Sequence, residues 1–275
     1  MSLHFIKPHT VETANSAKST GAALLELSKV DLVFGSQRVL HQVDLTIAQG
    51  EFICVVGPSG CGKTSLLRLL AGFYTPSAGK ITYRGKAVSG PSQDIAIVFQ
   101  DYGKALLPWR TAAGNVSLAL EVAGVPKAER AARIAPLLDK MGLAQHADKF
   151  PGQMSGGMQQ RLQIARALAQ NPRVLLMDEP FGALDAMTRQ VLQDELLSLV
   201  ADTGVTVFFV THDLEEAIYL SDRVVGLQPH PGRVGEIFNI GIDKPRDQLA
   251  SREVPEFLRL RREVFDFVLA AEGRK

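Results

Sequence analysis

Residues 57–64 read Gly57-Pro58-Ser59-Gly60-Cys61-Gly62-Lys63-Thr64. They match the pattern G-x-x-x-x-G-K-[ST], which is specific for phosphate when it joins a strand to a helix. Here a continuous apolar run, 52–56, precedes the glycines, and helix formers, 65–71, follow them. In such a loop backbone N–H groups face phosphate oxygens at a helix N-terminus, the lysine neutralises phosphate charge and the threonine hydroxyl is a Mg²⁺ ligand. The segment, with the adjacent Ser65, therefore predicts a nucleoside triphosphate site.

Two acidic residues, Asp178 and Glu179, end a second apolar run, 174–177. In open α/β sheets, ligands bind at the carboxyl ends of the strands. Phosphoryl transfer to water needs one group that holds Mg²⁺ and another that receives a proton. We assign Asp178 to the metal and Glu179 to the general base. The alternative, an ordinary solvated acidic pair, fits poorly with the preceding apolar residues.

A third motif, Ser155-Gly156-Gly157, precedes a predicted helix at 158–170. Ser155 is a good N-cap, and a cap without further function would have this sequence. Exposed N–H groups beside two glycines would also make a second anion site. From these residues alone, the simple cap is the favoured interpretation.

Strands and helices alternate along most of the chain, which predicts an α/β fold with a parallel sheet. An antiparallel pair of strands is predicted around a turn at 35–37, and only helices are predicted between 100 and 171. A helix at 186–201 is expected to bury Val191 among other apolar residues. A closing amphipathic helix is predicted at 254–271. Its face comprises Phe257, Leu258, Arg261, Val264, Phe265 and Val268.

Composition excludes several classes of protein. Of 275 residues 46% are apolar and 21% charged, and the net charge is +1, so a disordered chain and a basic nucleic-acid-binding face are both excluded. Two cysteines cannot make a disulfide framework. We find no apolar stretch long enough to span a bilayer and no secretory signal, and we expect 1–23 to be a flexible N-terminal tail.

Six ordered motifs together resemble the ATP-binding subunits of ABC transporters. They are the phosphate loop, Gln100 after an apolar strand at 95–99, Ser155-Gly156-Gly157, Asp178-Glu179-Pro180, Ala183-Leu184-Asp185 and Thr211-His212-Asp213. The resemblance implies ATP and Mg²⁺ as ligands and a head-to-tail homodimer, in which ATP on the loop of one chain is covered by Ser155 and Gly157 of the other. It also implies that Gln100 lines the attacking water and Mg²⁺, that His212 contacts the γ-phosphate, that Asp185 lies at the dimer seam and that Phe34 stacks on adenine.

The same resemblance implies a fold and its domains. It implies a P-loop NTPase (RecA-like) parallel-sheet core with an antiparallel β subdomain and an inserted α-helical subdomain. We place the ABC ATPase domain at 24–245, with the core in 24–100 and 172–245 and the helical subdomain in 101–171. The C-terminal helix occupies 246–275.

Three segments look like the nitrate, sulfonate and taurine importer branch, namely 106–109, 181–185 and 229–233. This implies membrane permease subunits and, indirectly, a solute-binding protein as partners, no nucleic acid, and a place at the cytoplasmic face of the inner membrane. Two departures are Met158, where many relatives have Gln, and a lengthened segment at 101–110.

Other functions remain open at this point. An importer subunit for a different solute would share these motifs, and so would a soluble ABC ATPase acting on DNA or ribosomes. The latter usually carries a long coiled coil or a second ATPase unit, and this sequence has neither. A P-loop kinase or GTPase would not need Ser155-Gly156-Gly157. Finally, Cys61 lies beside Lys63 and a helix N-terminus, which predicts a favoured thiolate and inactivation by thiol reagents.

Overall fold

The computed structural model describes residues 22–101, 105–182 and 184–273. The strands are β1 Ala23–Phe34, β2 Gln37–Ala48, β3 Phe52–Val56, β4 Ala78–Tyr83, β5 Lys86–Ala87, β6 Ile95–Val98, β7 Val174–Asp178, β8 Thr206–Val210, β9 Arg223–Gln228 and β10 Arg233–Asn239. The helices are α1 Lys63–Leu70, α2 Ala112–Val122, α3 Lys127–Lys140, α4 Gly156–Leu168, α5 Ala186–Thr203, α6 Leu214–Leu220, α7 Ala250–Glu253 and α8 Pro255–Ala271. The expected tail at 1–23 lies outside the described residues except for its last two, and Ala23 already begins β1.

The larger sheet has the strand order β10-β9-β3-β8-β7-β6. All its neighbours pair in parallel except β10, which is antiparallel to β9. Every residue of β3, β7 and β8 is buried, which explains why these strands are continuous apolar runs rather than alternating ones. Because the strands are parallel, the residues that follow β3, β6, β7 and β8 meet at one edge of the sheet.

The smaller sheet is antiparallel, with the order β2-β1-β4-β5. The turn between β1 and β2 falls where the sequence predicts it, although Gln37 already belongs to β2 and pairs with Phe34. The inner face of this sheet shares a core with α1 and the larger sheet, and this core includes Leu25, Leu40 and Leu66. The end of β1 is thereby held beside the phosphate loop.

The segment between the strands β6 and β7 is helical, with no strand among its described residues. Thr111 caps α2 by accepting a hydrogen bond from the Gly114 N–H. The buried Asn115 amide donates to the carbonyls of Leu107, Arg110 and Thr111, which fixes the chain that leads into α2. The lengthened segment predicted at 101–110 contains residues 102–104, which lie outside the described residues.

Two predicted apolar faces are wrong in part. On α8 the buried residues are Phe257, Leu260 and Val264, whereas Leu258 and Phe265 are exposed. The helix is rotated because the Phe267 ring lies over Gly226 and Gly235, whose missing side chains leave room for it. On α5, likewise, Val191 is exposed while Leu192, Leu196 and Leu199 are buried.

A pair of phenylalanines on α8 tests how firmly this helix is attached. Phe257→Ala removes a fully buried ring and is expected to lower the free energy of unfolding by about 3–5 kcal/mol. Phe265→Ala, the matched control at a 50% exposed position, is expected to cost less than about 1 kcal/mol. Urea unfolding followed by circular dichroism measures both. Equal losses of unfolding free energy in the two variants would show that α8 does not pack on the core through the face that carries Phe257.

No helix among the described residues combines the length and the apolar character needed to cross a lipid bilayer.

Candidate active site

The phosphate loop joins the end of β3 to the start of α1, and its conformation requires glycine at two positions. Gly57 and Gly62 have φ values of 149° and 100°, which side-chain-bearing residues rarely adopt. A Cβ at Gly57 would lie 2.5 Å from the Leu227 carbonyl oxygen, and one at Gly62 would lie 2.6 Å from the Leu40 side chain. The loop is therefore packed closely against β9 and β2 and keeps its curved shape before any ligand arrives.

Lys63 is the first residue of α1, and its side chain folds back over the loop. Its ammonium donates hydrogen bonds to the carbonyl oxygens of Gly57 at 2.7 Å and Pro58 at 3.1 Å. The side chain is buried, and a buried cation held by neutral carbonyls is stabilised further by an anion. Together with the N-terminus of α1, it makes the loop a good fit for phosphate groups.

Thr64 and Asp178 come together from distant parts of the chain. The Thr64 hydroxyl donates a hydrogen bond to Oδ1 of Asp178 at 3.2 Å. Burial raises the pKa of Asp178, and the Thr64 hydrogen bond opposes this shift. A hydroxyl and a carboxylate are hard oxygen ligands of the type that Mg²⁺ binds, so the donor set fits the predicted metal.

Three of the predicted catalytic side chains converge on one oxygen atom. Oε2 of Glu179 accepts a hydrogen bond from Nε2 of Gln100 at 3.2 Å and lies 3.0 Å from Nδ1 of His212. The strand order explains this, because β7 lies between β6 and β8, and each of the three residues lies within two positions of the end of its strand. The strand predicted at 95–99 is one residue shorter in the structure, because β6 stops at Val98 and Phe99 separates it from Gln100.

Glu179 also has an unusual backbone. Its φ of 44° lies in the left-handed region, which costs a non-glycine residue about 1–3 kcal/mol. Its N–H donates to the Val210 carbonyl at 2.9 Å, and this bond ties the turn to β8. Strain of this kind persists only where the surroundings fix it, and here it aims the carboxylate at the edge where Gln100 and His212 lie.

The motif at 155–157 lies apart from this cluster. Oγ of Ser155 accepts a hydrogen bond from the Met158 N–H at 3.4 Å, so Ser155 caps α4 as predicted. A Cβ at Gly157 would lie 3.0 Å from the Thr188 methyl group on α5. Within the described part of the chain, no hydrogen bond or ion pair joins 155–157 to the phosphate loop or to Glu179. A single copy therefore does not bring the two predicted anion sites together.

Asp185 has the same local role at the start of α5. Its Oδ1 accepts a hydrogen bond from the Thr188 N–H at 3.0 Å, and the side chain is exposed. This hydrogen bond from the backbone holds the pKa of Asp185 below its usual range. The neighbouring Ala183 lies outside the described residues.

Phe34 ends β1 with an exposed ring that touches a second aromatic side chain. Its ring meets Tyr74 edge to face, with centroids 5.2 Å apart. Nη1 of Arg68 donates to the Tyr74 hydroxyl at 2.9 Å, and its guanidinium lies over the Tyr74 ring. Neither Tyr74 nor Arg68 belongs to a recognisable sequence motif, and only the packing of β1 against the end of α1 brings them to Phe34.

The structure contradicts the favoured thiolate that the sequence predicts at Cys61. The side chain is fully buried, and this burial raises the pKa of the thiol although Lys63 and a backbone hydrogen bond act against it. The helix N-terminus and Lys63 favour the thiolate, but the loss of hydration on burial has the larger effect on the pKa. Cys61 belongs to the core that the smaller sheet shares with α1.

This burial predicts slow alkylation. We expect Cys61 and the equally buried Cys54 to react with iodoacetamide at pH 8 at least about 100-fold more slowly in the native chain than in urea, because only locally opened molecules react. Intact mass measured over time gives both rates, and Cys54→Ser isolates the contribution of Cys61. Rapid native modification of that variant would contradict the burial.

Comparisons with known proteins agree with this geometry. A family model described as ABC transporter matches residues 40–182. The bicarbonate transport ATP-binding protein of Synechocystis is 44% identical over 263 residues, 93% of each chain. The taurine import ATP-binding protein of Yersinia pestis is 44% identical over 245 residues, 88% of this chain and 95% of that protein.

The fold has a solved counterpart in a component of an ABC transporter complex from Clostridium perfringens. The two structures superpose with a TM-score of 0.75 at 25% identity, over 90% of this chain and 95% of the other. The P-loop NTPase fold that the sequence implied is therefore confirmed. The chain belongs to the ABC transporter family, among its ATP-binding proteins, and is an ATPase.

Proposed function

We propose that this chain is the ATP-hydrolysing subunit of an importer. It couples ATP-driven closure of a head-to-tail homodimer to uptake of a small anion or an organosulfur solute through separate permease subunits. The observation that carries the proposal is the convergence of Gln100 and His212 on the carboxylate of Glu179, at the same sheet edge as the phosphate loop. The solute class rests on the bicarbonate and taurine relatives.

The side chains divide the hydrolytic step between them. The loop N–H groups and Lys63 bind the phosphates, and the ring of Phe34 stacks on adenine. Glu179 accepts the proton of the attacking water, a role that contributes about 10²- to 10⁴-fold to a rate. Gln100 orients that water, and His212 contacts the γ-phosphate. Thr64 and Asp178, with Gln100, would hold Mg²⁺, which when bound neutralises charge on the β- and γ-phosphates.

The second half of each nucleotide pocket comes from a second copy. In one chain the N–H groups around Gly156 and Gly157 are separate from its own loop, although they open a helix whose positive end suits an anion. Placed over the loop of a partner, they cover the phosphates, and Asp185 lies at the seam. Closure of the dimer and completion of the active site are then one event.

A groove between the larger sheet and the helical segment receives the permease. It has a volume of about 350 Å³ and is lined by Phe73, Phe99 and Val122, all exposed apolar residues, with Arg166 at its side. A permease helix with an apolar face fits this groove. Bound there, the ATPase lies at the cytoplasmic face of the inner membrane, and a solute-binding protein acts on it only through the permease.

Introduction of a charge into the groove tests this assignment. Val122→Glu places a carboxylate at a 68% exposed groove position, where it would be buried against an apolar partner. Such a change costs roughly 2 kcal/mol or more, so we expect about a 30-fold loss of apparent permease affinity. The measurement is the ATPase rate as a function of the concentration of permease in nanodiscs.

The matched control for this titration is Leu249→Glu, at a 72% exposed position outside the groove. It is expected to behave like the unmodified chain. Basal ATPase of both variants should be unchanged. An identical permease response of Val122→Glu and the unmodified chain would place the permease elsewhere.

A further inference from the structure

A buried carboxylate lies behind the histidine of the active site without touching the reacting groups. Glu216, on α6, is only 4% exposed. Its Oε2 accepts a hydrogen bond from the Thr211 hydroxyl at 2.5 Å, and its Oε1 accepts one from Nε2 of Gln193 at 2.9 Å. Burial raises the pKa of Glu216, and these two hydrogen bonds oppose the shift. A buried carboxylate is costly unless its hydrogen bonds are made, so simple packing would favour an apolar side chain here.

The hydrogen bonds of Glu216 close a ring around His212. The Thr211 hydroxyl, which donates to Glu216, also accepts from the Asp213 N–H at 3.0 Å. Oδ1 of Asp213 in turn accepts from the Glu216 N–H at 3.1 Å. The Thr211 hydroxyl donates its hydrogen toward Glu216, which leaves the oxygen lone pairs to accept the hydrogen bond from the Asp213 N–H. The residues on both sides of His212 are thereby fixed.

Within the described residues, the side chain of His212 makes one hydrogen bond. Its side chain is 66% exposed, and the bond to Glu179 is the contact that directs the imidazole. The Thr211 N–H donates to the Val55 carbonyl at 3.2 Å, so the hydrogen-bonded ring of Thr211, Asp213 and Glu216 is anchored to β3. An exposed catalytic side chain depends on the rigidity of its backbone, and a displacement of about 1 Å can cost on the order of 10²-fold in rate.

We propose that Glu216 is a positioning residue that acts through the Thr211 hydroxyl to hold His212 in the place where it meets Glu179 and the γ-phosphate. The inference rests on the proposed role of His212. Among the described residues, the Glu216 side chain is hydrogen-bonded to Thr211 and Gln193 and not to Gln100, Glu179 or His212, so its whole effect on catalysis passes through the histidine.

The test removes the Thr211 hydroxyl in two backgrounds, one with His212 and one with His212→Ala. Thr211→Val keeps the shape of the side chain, and we expect roughly a tenfold loss of kcat with KM for ATP unchanged. In a His212→Ala background the same substitution should change the residual rate less than about twofold, because there is no imidazole left to position. Single-turnover hydrolysis of radiolabelled ATP measures the slow rates.

Two further variants separate positioning from folding. Thr206 is the first residue of β8, the strand that leads into Thr211, and its buried hydroxyl accepts a hydrogen bond from the Gly50 N–H. Thr206→Val deletes this hydroxyl and should lower stability without lowering kcat. Thr211→Ser restores the hydroxyl and should restore most of the rate. If Thr211→Val does not fold, Glu216→Gln, which keeps one acceptor, should show a smaller loss with the same dependence on His212.

The outcomes distinguish the inference from the function on which it rests. Equal fold-losses for Thr211→Val with and without the histidine, or no loss at all, would overturn the positioning role. An unchanged rate for His212→Ala alone would instead refute the proposed catalytic role of the histidine.

Discussion

Glu179→Gln is expected to keep ATP binding intact and to lower hydrolysis by about 10²- to 10⁴-fold. The amide has the size of the carboxylate, and its oxygen can still accept the hydrogen bond from Nε2 of Gln100, so the cluster keeps its shape. It cannot accept a proton from water. ATP therefore stays uncleaved, and the closed dimer should accumulate. Equilibrium binding of a fluorescent ATP analogue, steady-state hydrolysis and light scattering measure the three effects.

A matched substitution controls for the loss of one negative charge. Glu129→Gln removes a carboxylate from α3 that forms an exposed ion pair with Arg133. Such pairs contribute about 0–1 kcal/mol, so binding, hydrolysis and dimerisation should remain at the level of the unmodified chain. Near-normal hydrolysis by Glu179→Gln would mean that another group is the base.

Ser155→Asp should block ATP-driven dimerisation and lower hydrolysis by about 10²-fold or more, while monomeric ATP binding is unchanged. Asp is as good an N-cap as Ser, so α4 remains capped and stable. The new carboxylate, however, would face the phosphates of ATP bound to the partner chain, and like charges at such a distance repel strongly in a closed site. Analytical ultracentrifugation with ATP, in the Glu179→Gln background, reports the dimer.

The control at the same position is Ser155→Asn, which caps the helix without adding charge. Its loss of dimerisation should be much smaller, and the difference between the two variants isolates the electrostatic effect. If Ser155→Asp hydrolyses ATP at full speed as a monomer, the composite pocket is refuted and Ser155 is only a cap.

Mixing two defective chains tests the head-to-tail order. Lys63→Ala damages the phosphate loop, and Ser155→Asp damages the covering motif. In a heterodimer the Ser155→Asp chain supplies an intact loop, and the Lys63→Ala chain covers it with an intact motif, so one complete pocket forms. We expect ATP-dependent association in the mixture and none in either variant alone. A dimer with both halves of each pocket in one chain would not complement in this way.

Much of the fold follows from short stretches of sequence. The apolar runs at β3 and β7 lie where the sequence predicts them, because burial on both faces leaves few alternatives to Val, Leu, Ile and Phe. The roles assigned to the site residues stay predictions until the variants above are measured. Their positions, however, can be compared with the structure, and the loop at 57–64 follows a strand and opens a helix as expected.

Other features were inaccessible to sequence reasoning. Helical periodicity predicts that Leu258 and Phe265 face the core, but the two glycines that accommodate Phe267 turn α8 away from that orientation. Local charges predict an activated thiol at Cys61, but its burial raises the pKa. In both cases the deciding contact comes from residues far away along the chain.

The sequence alone shows that this chain binds a nucleoside triphosphate at a strand-to-helix loop and belongs with the ABC ATPases. These features are readable because the conformation of a loop, a helix cap and a buried strand depends on residues that are neighbours in the chain. The three-dimensional packing alone brings Gln100 and His212 to one oxygen of Glu179, keeps Ser155 apart from them and places Glu216 against the Thr211 hydroxyl. Strand order and burial set these arrangements. They arise from packing among segments far apart in the chain, such as those of Phe52 and Asp222, which are 170 residues apart, and no local pattern encodes this packing.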